Sequence, residues 1–124
     1  VGRKVLFEVN RPDVKIGKQL VETLKLRVKG DNGLEAVKGL DMIIHEGEVL
    51  GIAGVEGNGQ TEMIEALAGL RKGEKGSFRI GETNLTNSTP KERREKGLSH
   101  IPEDRHKRAA IDEFTVEENM ILGV

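Results

Sequence analysis

The 124-residue chain has no cysteine, no tryptophan and no tyrosine, and only three phenylalanines. The first absence excludes a disulfide framework and thiolate chemistry. The shortage of rings leaves an aliphatic core and removes the stacking platforms on which single-stranded nucleic acid is held. No run approaches the ~18 apolar residues of a membrane-spanning helix. Charge of one sign is missing too: 20 basic residues against 21 acidic give a formal charge of -1, so no global field selects an anionic partner. The length suits one domain that buries about two-thirds of its unfolded surface. The chain begins at Val1 without a signal-peptide pattern, and the expectation is a segment cut from a longer protein.

What is present centres on residues 49–61, Val-Leu-Gly-Ile-Ala-Gly-Val-Glu-Gly-Asn-Gly-Gln-Thr. An apolar run, 49–53, reads as a strand covered on both faces. It leads into a glycine-rich turn and then a helix. The spacing is that of the phosphate-binding loop G-x-x-x-x-G-K-[ST], with Gly54, Gly59 and Thr61 in place and Gln60 where the lysine would stand. A loop that wraps a polyphosphate turns its N–H groups inward, which Gly54, Gly57 and Gly59 permit. The helix start adds unpaired N–H groups and a positive dipole end, and the Thr61 hydroxyl stands at the magnesium-ligand position.

The side chains oppose that backbone. A neutral amide replaces the mobile cation, and Glu56 and Glu62 bring carboxylates close in sequence. At an effective dielectric of about 20, a unit charge at ~4 Å is worth roughly 4 kcal/mol, so weakened nucleotide binding and impaired phosphoryl transfer are expected.

Around this loop the pattern is mixed. Val5, Phe7 and Val9 alternate in a leading segment that ends at a turn over 10–13. Leu24, Leu26 and Val28 alternate with Lys25 and Arg27, predicting a half-buried strand, and Asn32-Gly33 predicts a tight turn into a hairpin. Leu40, Met42 and Ile44 supply the second strand. Met63, Ile64, Leu67 and Ala68 share one face of a helix that stops near Gly69. Phe78 and Ile80 mark a further short strand over 77–80 that extends an antiparallel sheet. Thr89-Pro90-Lys91-Glu92 and Thr115 to Glu118 are capping boxes that open helices 90–96 and 116–122. Arg93 and Arg94 form no nucleic-acid patch, since Glu92 and Glu95 share their helix. The mixed charge run 103–108 reads as a solvated loop. His45, His100 and His106 lack metal-ligand spacing.

The order of Ala36-Val37-Lys38-Gly39-Leu40, then residues 47–54, the glycine loop, Ala66-Leu67-Ala68-Gly69-Leu70, and Ile101-Pro102-Glu103-Asp104-Arg105 resembles an ABC transporter ATPase. More narrowly, the loop together with Pro102-Glu-Asp-Arg is similar to the second, degenerate nucleotide-binding domain of tandem ATPases that power bacterial sugar or nucleoside importers.

The resemblance implies an α/β fold: the N-terminal part of such a domain, with an antiparallel β portion plus the phosphate-loop strand and helix. Residues 1–18 would be an inter-domain linker and 19–124 the domain portion. It implies ATP and Mg2+ as ligands, held by Gly54, Gly57, Asn58, Gly59, Gln60, Thr61, Glu62 and Glu103, with Thr61 on the metal. Glu103 falls where the family has the glutamine that senses γ-phosphate and magnesium. No catalytic base is assigned, because the chain ends before the family's signature and Walker B positions. The ring that stacks on adenine would lie near 28–33, where this sequence has none.

The implied partners are permease subunits and a second nucleotide-binding domain, with no nucleic acid, at the cytoplasmic face of the membrane. The edge left open beside the phosphate-loop strand predicts self-association. A non-catalytic scaffold that contacts the permease without nucleotide is the alternative function.

Overall fold

A computed structural model describes residues 13–104 and 109–121; the segment expected over 1–9, most of the linker 1–18, and residues 105–108 with His106 lie outside the described residues, as does Leu122. Two long strands, β1 (Gln19–Lys29) and β2 (Glu35–His45), form the hairpin that Asn32-Gly33 predicts. The turn closes with the Gly30 N–H donating to the Leu34 carbonyl at 2.8 Å, while Gly33 takes a positive φ. β3 (Lys75–Ile80) pairs antiparallel with the other edge of β1, and the two-residue β4 (Thr83–Asn84) folds back on β3. The sheet order is β2-β1-β3-β4, which bears out the antiparallel portion of an α/β fold. The described residues also form three helices, α1 (Gln60–Ala68), α2 (Pro90–Glu95) and α3 (Val116–Met120), the last two opened by the expected capping boxes.

The core is the contact between α1 and one face of the sheet. Leu26, Val28 and Ala66 are buried together, with Val37, Leu40 and Leu67 packed against them. Leu24 does not join the alternating row and is 47% exposed. A bulge causes this: between Thr23 and Leu26 the strand gains one residue relative to both neighbours, with Lys25 at φ 47. Thr23 takes the inward position, and its hydroxyl donates to the Leu40 carbonyl at 3.2 Å. The Lys25 N–H, turned out of the ladder, donates to Asp41 Oδ1 at 2.6 Å. On the other side Gly76 is required, since a β-carbon there would press onto the carbonyls of Leu24 and Lys25.

A further sequence expectation is corrected. Residues 49–53 form no strand, and none of the described strands pairs with them. Val49 is 96% exposed, and Leu50 and Ile52 are exposed as well, rather than covered on both faces. An apolar run becomes a strand only when a ladder partner satisfies its N–H and C=O groups, and the sheet here closes on β2 without it.

Candidate functional site

The glycine-rich loop joins this extended segment to α1, which it enters through Gly59 at φ 93. A positive φ alone favours glycine, and packing makes the demand stronger: a β-carbon on Gly59 would lie 2.5 Å from the Ala36 carbonyl oxygen. The loop thus lies directly against β2. The Asn58 N–H donates back to the Val55 carbonyl at 3.1 Å, and the first helical bond runs from the Met63 N–H to the Gly59 carbonyl at 2.9 Å. The N–H groups of the first helical turn therefore have no intrahelical acceptor, and no side chain caps them. α2 and α3 differ, each closing its own start with a threonine hydroxyl and a glutamate.

Between loop and strand is a cleft of about 380 Å³. One wall is β2 over 36–40; the other is Ile52, Ala53 and the loop residues Gly54, Asn58, Gly59 and Gln60, with Met63 at the base. The size, the backbone approach at Gly59 and the uncapped helix start fit a polyphosphate chain. The Gln60 amide folds back over Gly54, onto the space a β-carbon there would take, so the cleft holds a neutral donor and acceptor at its mouth.

The expected ligand set divides. Gly54, Asn58, Gly59 and Gln60 line the cleft. Gly57 sits at the loop tip in open space, and Thr61 is exposed on the first turn of α1. Neither Glu56 nor Glu62 is among the lining residues; Glu62 Oε1 lies toward Gly30 at the hairpin turn, so the carboxylates that the sequence sets beside the loop do not wall the cleft. Glu103 is exposed in the segment after Pro102 and does not line the cleft either. No group of acidic or histidine side chains suited to a metal occurs among the described residues.

Sequence reasoning missed what holds the far end of the helix. Arg93, set in the charged helix α2, is 3% exposed. Its guanidinium donates to the carbonyls of Ala66 and Leu67 in the last turn of α1, to those of Leu85 and Thr86, and to the Ser88 hydroxyl, and it stands 5.1 Å from the Phe78 ring centroid. Burial pushes it below the ordinary arginine range, although every polar atom is used. Glu65 binds Arg71 at 2.7 Å, and Arg71 reaches on to Asp31 at 2.8 Å and to the Lys29 carbonyl at 3.2 Å. The Glu65 carboxylate first, then Asp31, holds Arg71 above its usual range. These contacts tie α1 to the β1–β2 turn. Nothing in the run Lys-Glu-Arg-Arg-Glu distinguishes the buried arginine from its neighbour.

Comparison with known proteins matches the ABC transporter family over residues 37–121. The chain is 39% identical to a guanosine import ATP-binding protein of Bacillus subtilis over 122 residues, 98% of this chain and 24% of that protein. It is 38% identical to a nucleoside import ATP-binding protein of Lactococcus lactis, with the same coverage, and 39% identical to a glucose import ATP-binding protein of Haloferax volcanii, covering 98% of this chain and 22% of that one. The chain thus spans about a quarter of the length of these curated relatives.

Proposed function

Since the chain belongs to the ABC transporter family, we propose that it is part of the ATP-binding subunit of an importer for nucleosides or sugars, and that its glycine cleft takes Mg-ATP. The observation that carries this reading is the cleft itself, in which the uncapped start of α1 and the Gly59 approach to β2 leave N–H donors for a phosphate chain. Thr61, on the same first turn, is the side chain that would ligate magnesium, and Glu103 would be brought to the nucleotide from its own loop. When bound, the nucleotide supplies phosphoryl-transfer free energy. The residues present here would orient it.

This copy is a degenerate one, the second of a tandem pair: Gln60 replaces the cation, so binding is weak and hydrolysis is not performed here alone. Residues 1–18 link it to the first domain, and 19–124 begin the second. In the assembled transporter it works at the cytoplasmic face with permease subunits and another nucleotide-binding domain, closing on nucleotide and reopening after hydrolysis. The exposed apolar segment around Val49 and Ile52 pairs with further strand, and in isolation it associates with a second copy.

Isothermal titration with Mg-ATP tests the nucleotide reading. The expected result is binding between micromolar and millimolar affinity that is lost in Thr61→Ala. Gln60→Lys strengthens it roughly tenfold or more by restoring a charge to the cleft mouth. A second reading is favoured by the Gln60 amide over Gly54, which fills the loop as a side-chain plug. In that case the chain is a permease-binding scaffold, and no heat appears at millimolar Mg-ATP.

A further inference from the structure

The cleft lacks a cation at Gln60, yet it does not lack one altogether. Among its lining residues Lys38 is the single charged side chain. We propose that Lys38, on β2, supplies the positive charge that the loop has lost and contacts the polyphosphate of the nucleotide. This rests on the reading of the cleft as a nucleotide site and adds a binding residue to it.

Three features support the assignment. First, Lys38 makes no ion pair with any described residue, whereas its cross-strand partner Arg27 is engaged by Glu35 at 2.8 Å. Of two neighbouring cations on the hairpin, one is neutralised and the other is left for an external anion. Second, the cross-strand register slips on both sides of Lys38, from Leu40 to Lys38 and from Val37 to Glu35. β2 is the outer strand of the described sheet, and the consecutive residues 36–40, Lys38 among them, line the cleft along its edge. Third, that wall meets the loop at its functional end, where the Ala36 carbonyl abuts Gly59. A flexible four-carbon stem with three rotatable donors, reaching from the wall opposite the loop, does the work of the lysine absent from it.

The test is titration of Mg-ATP and of adenosine into the chain and its variants, with circular dichroism confirming that the exposed substitutions leave the fold intact. Lys38→Gln should weaken Mg-ATP binding about tenfold and leave adenosine unaffected, while Lys38→Arg stays within about threefold of the unaltered chain. Gln60→Lys introduced into Lys38→Gln should recover the loss. If Lys38→Gln binds as the unaltered chain does while Thr61→Ala abolishes binding, the inference falls and the nucleotide site stands. If the unaltered chain binds no Mg-ATP at millimolar concentration, the nucleotide reading falls and Lys38 with it.

Discussion

The two ends of α1 are built in opposite ways. At the C-terminal end, Gly69 closes the helix with a left-handed residue, the Leu70 N–H returns to the Glu65 carbonyl at 2.8 Å, and Arg93 covers the Ala66 and Leu67 carbonyls. At the N-terminal end, no side chain covers the N–H groups, and the loop before them is exposed. Orphan groups at both ends carry the same intrinsic cost when they are left unpaired. One end is satisfied from within and the other is open to an external acceptor. The closed end fixes the position of the whole helix, and with it the geometry of the first turn.

The largest effect should come from breaking the closed end. Arg93→Ala removes one buried guanidinium and strands the acceptors of two helix-end carbonyls and two loop carbonyls. Losses of roughly 3 kcal/mol or more are expected, since buried acceptors without donors carry their full desolvation cost. Arg93→Lys should recover only a minor part, because a single ammonium cannot serve a fork of acceptors. Urea unfolding checks both. A change under about 0.5 kcal/mol for Arg93→Ala would mean that the two ends are not built differently after all.

At the open end the corresponding substitution is Gly59→Ala, and its cost is steric. The left-handed φ and the 2.5 Å approach to the Ala36 carbonyl together predict a loss of about 2 kcal/mol, with separation of the loop from β2. This loss should be smaller than that of Arg93→Ala, and it should carry with it the disappearance of Mg-ATP binding. Stability retained within about 0.5 kcal/mol would show that the loop does not press on the strand.

What could be read from the sequence divides along the same line of local against non-local causes. Both capping boxes, the Gly69 stop and the Asn32-Gly33 turn are settled within a few residues, and the structure has each of them where the spacing puts it. The alternation in β1 is legible only up to the bulge: Leu26 and Val28 are buried as expected, but Thr23 replaces Leu24 in the inward row. The run 49–53 has strand composition, yet pairing is a property of two segments, and no described neighbour supplies the second. In the site, spacing found the glycines but not the wall facing them. Lys38 and Arg93 acquire their meaning from elements far away in sequence, β2 against the loop and α2 against α1.

The smallest effect concerns the helix starts, where α2 does for itself what α1 does not. The Glu92 carboxylate accepts the Thr89 N–H at 2.6 Å and the Thr89 hydroxyl at 2.9 Å, and the backbone bond first, then the hydroxyl, draws it below the usual glutamate range. Glu118 is lowered by the same pair of bonds from Thr115. A carboxylate whose folded value is depressed contributes stability at pH above its unfolded value, and the contribution is lost as pH falls through the folded one. Acidification below the usual glutamate range should therefore fray α2 and α3 before it affects α1, whose start uses no carboxylate cap. Carboxyl NMR shifts of Glu92 followed against pH check this. In Thr89→Ala the midpoint should move part of the way back, because the hydroxyl is gone while the residue-89 N–H remains. A midpoint that does not move would mean that the hydroxyl contributes nothing to the cap, and that the start of α2 is closed by its backbone alone.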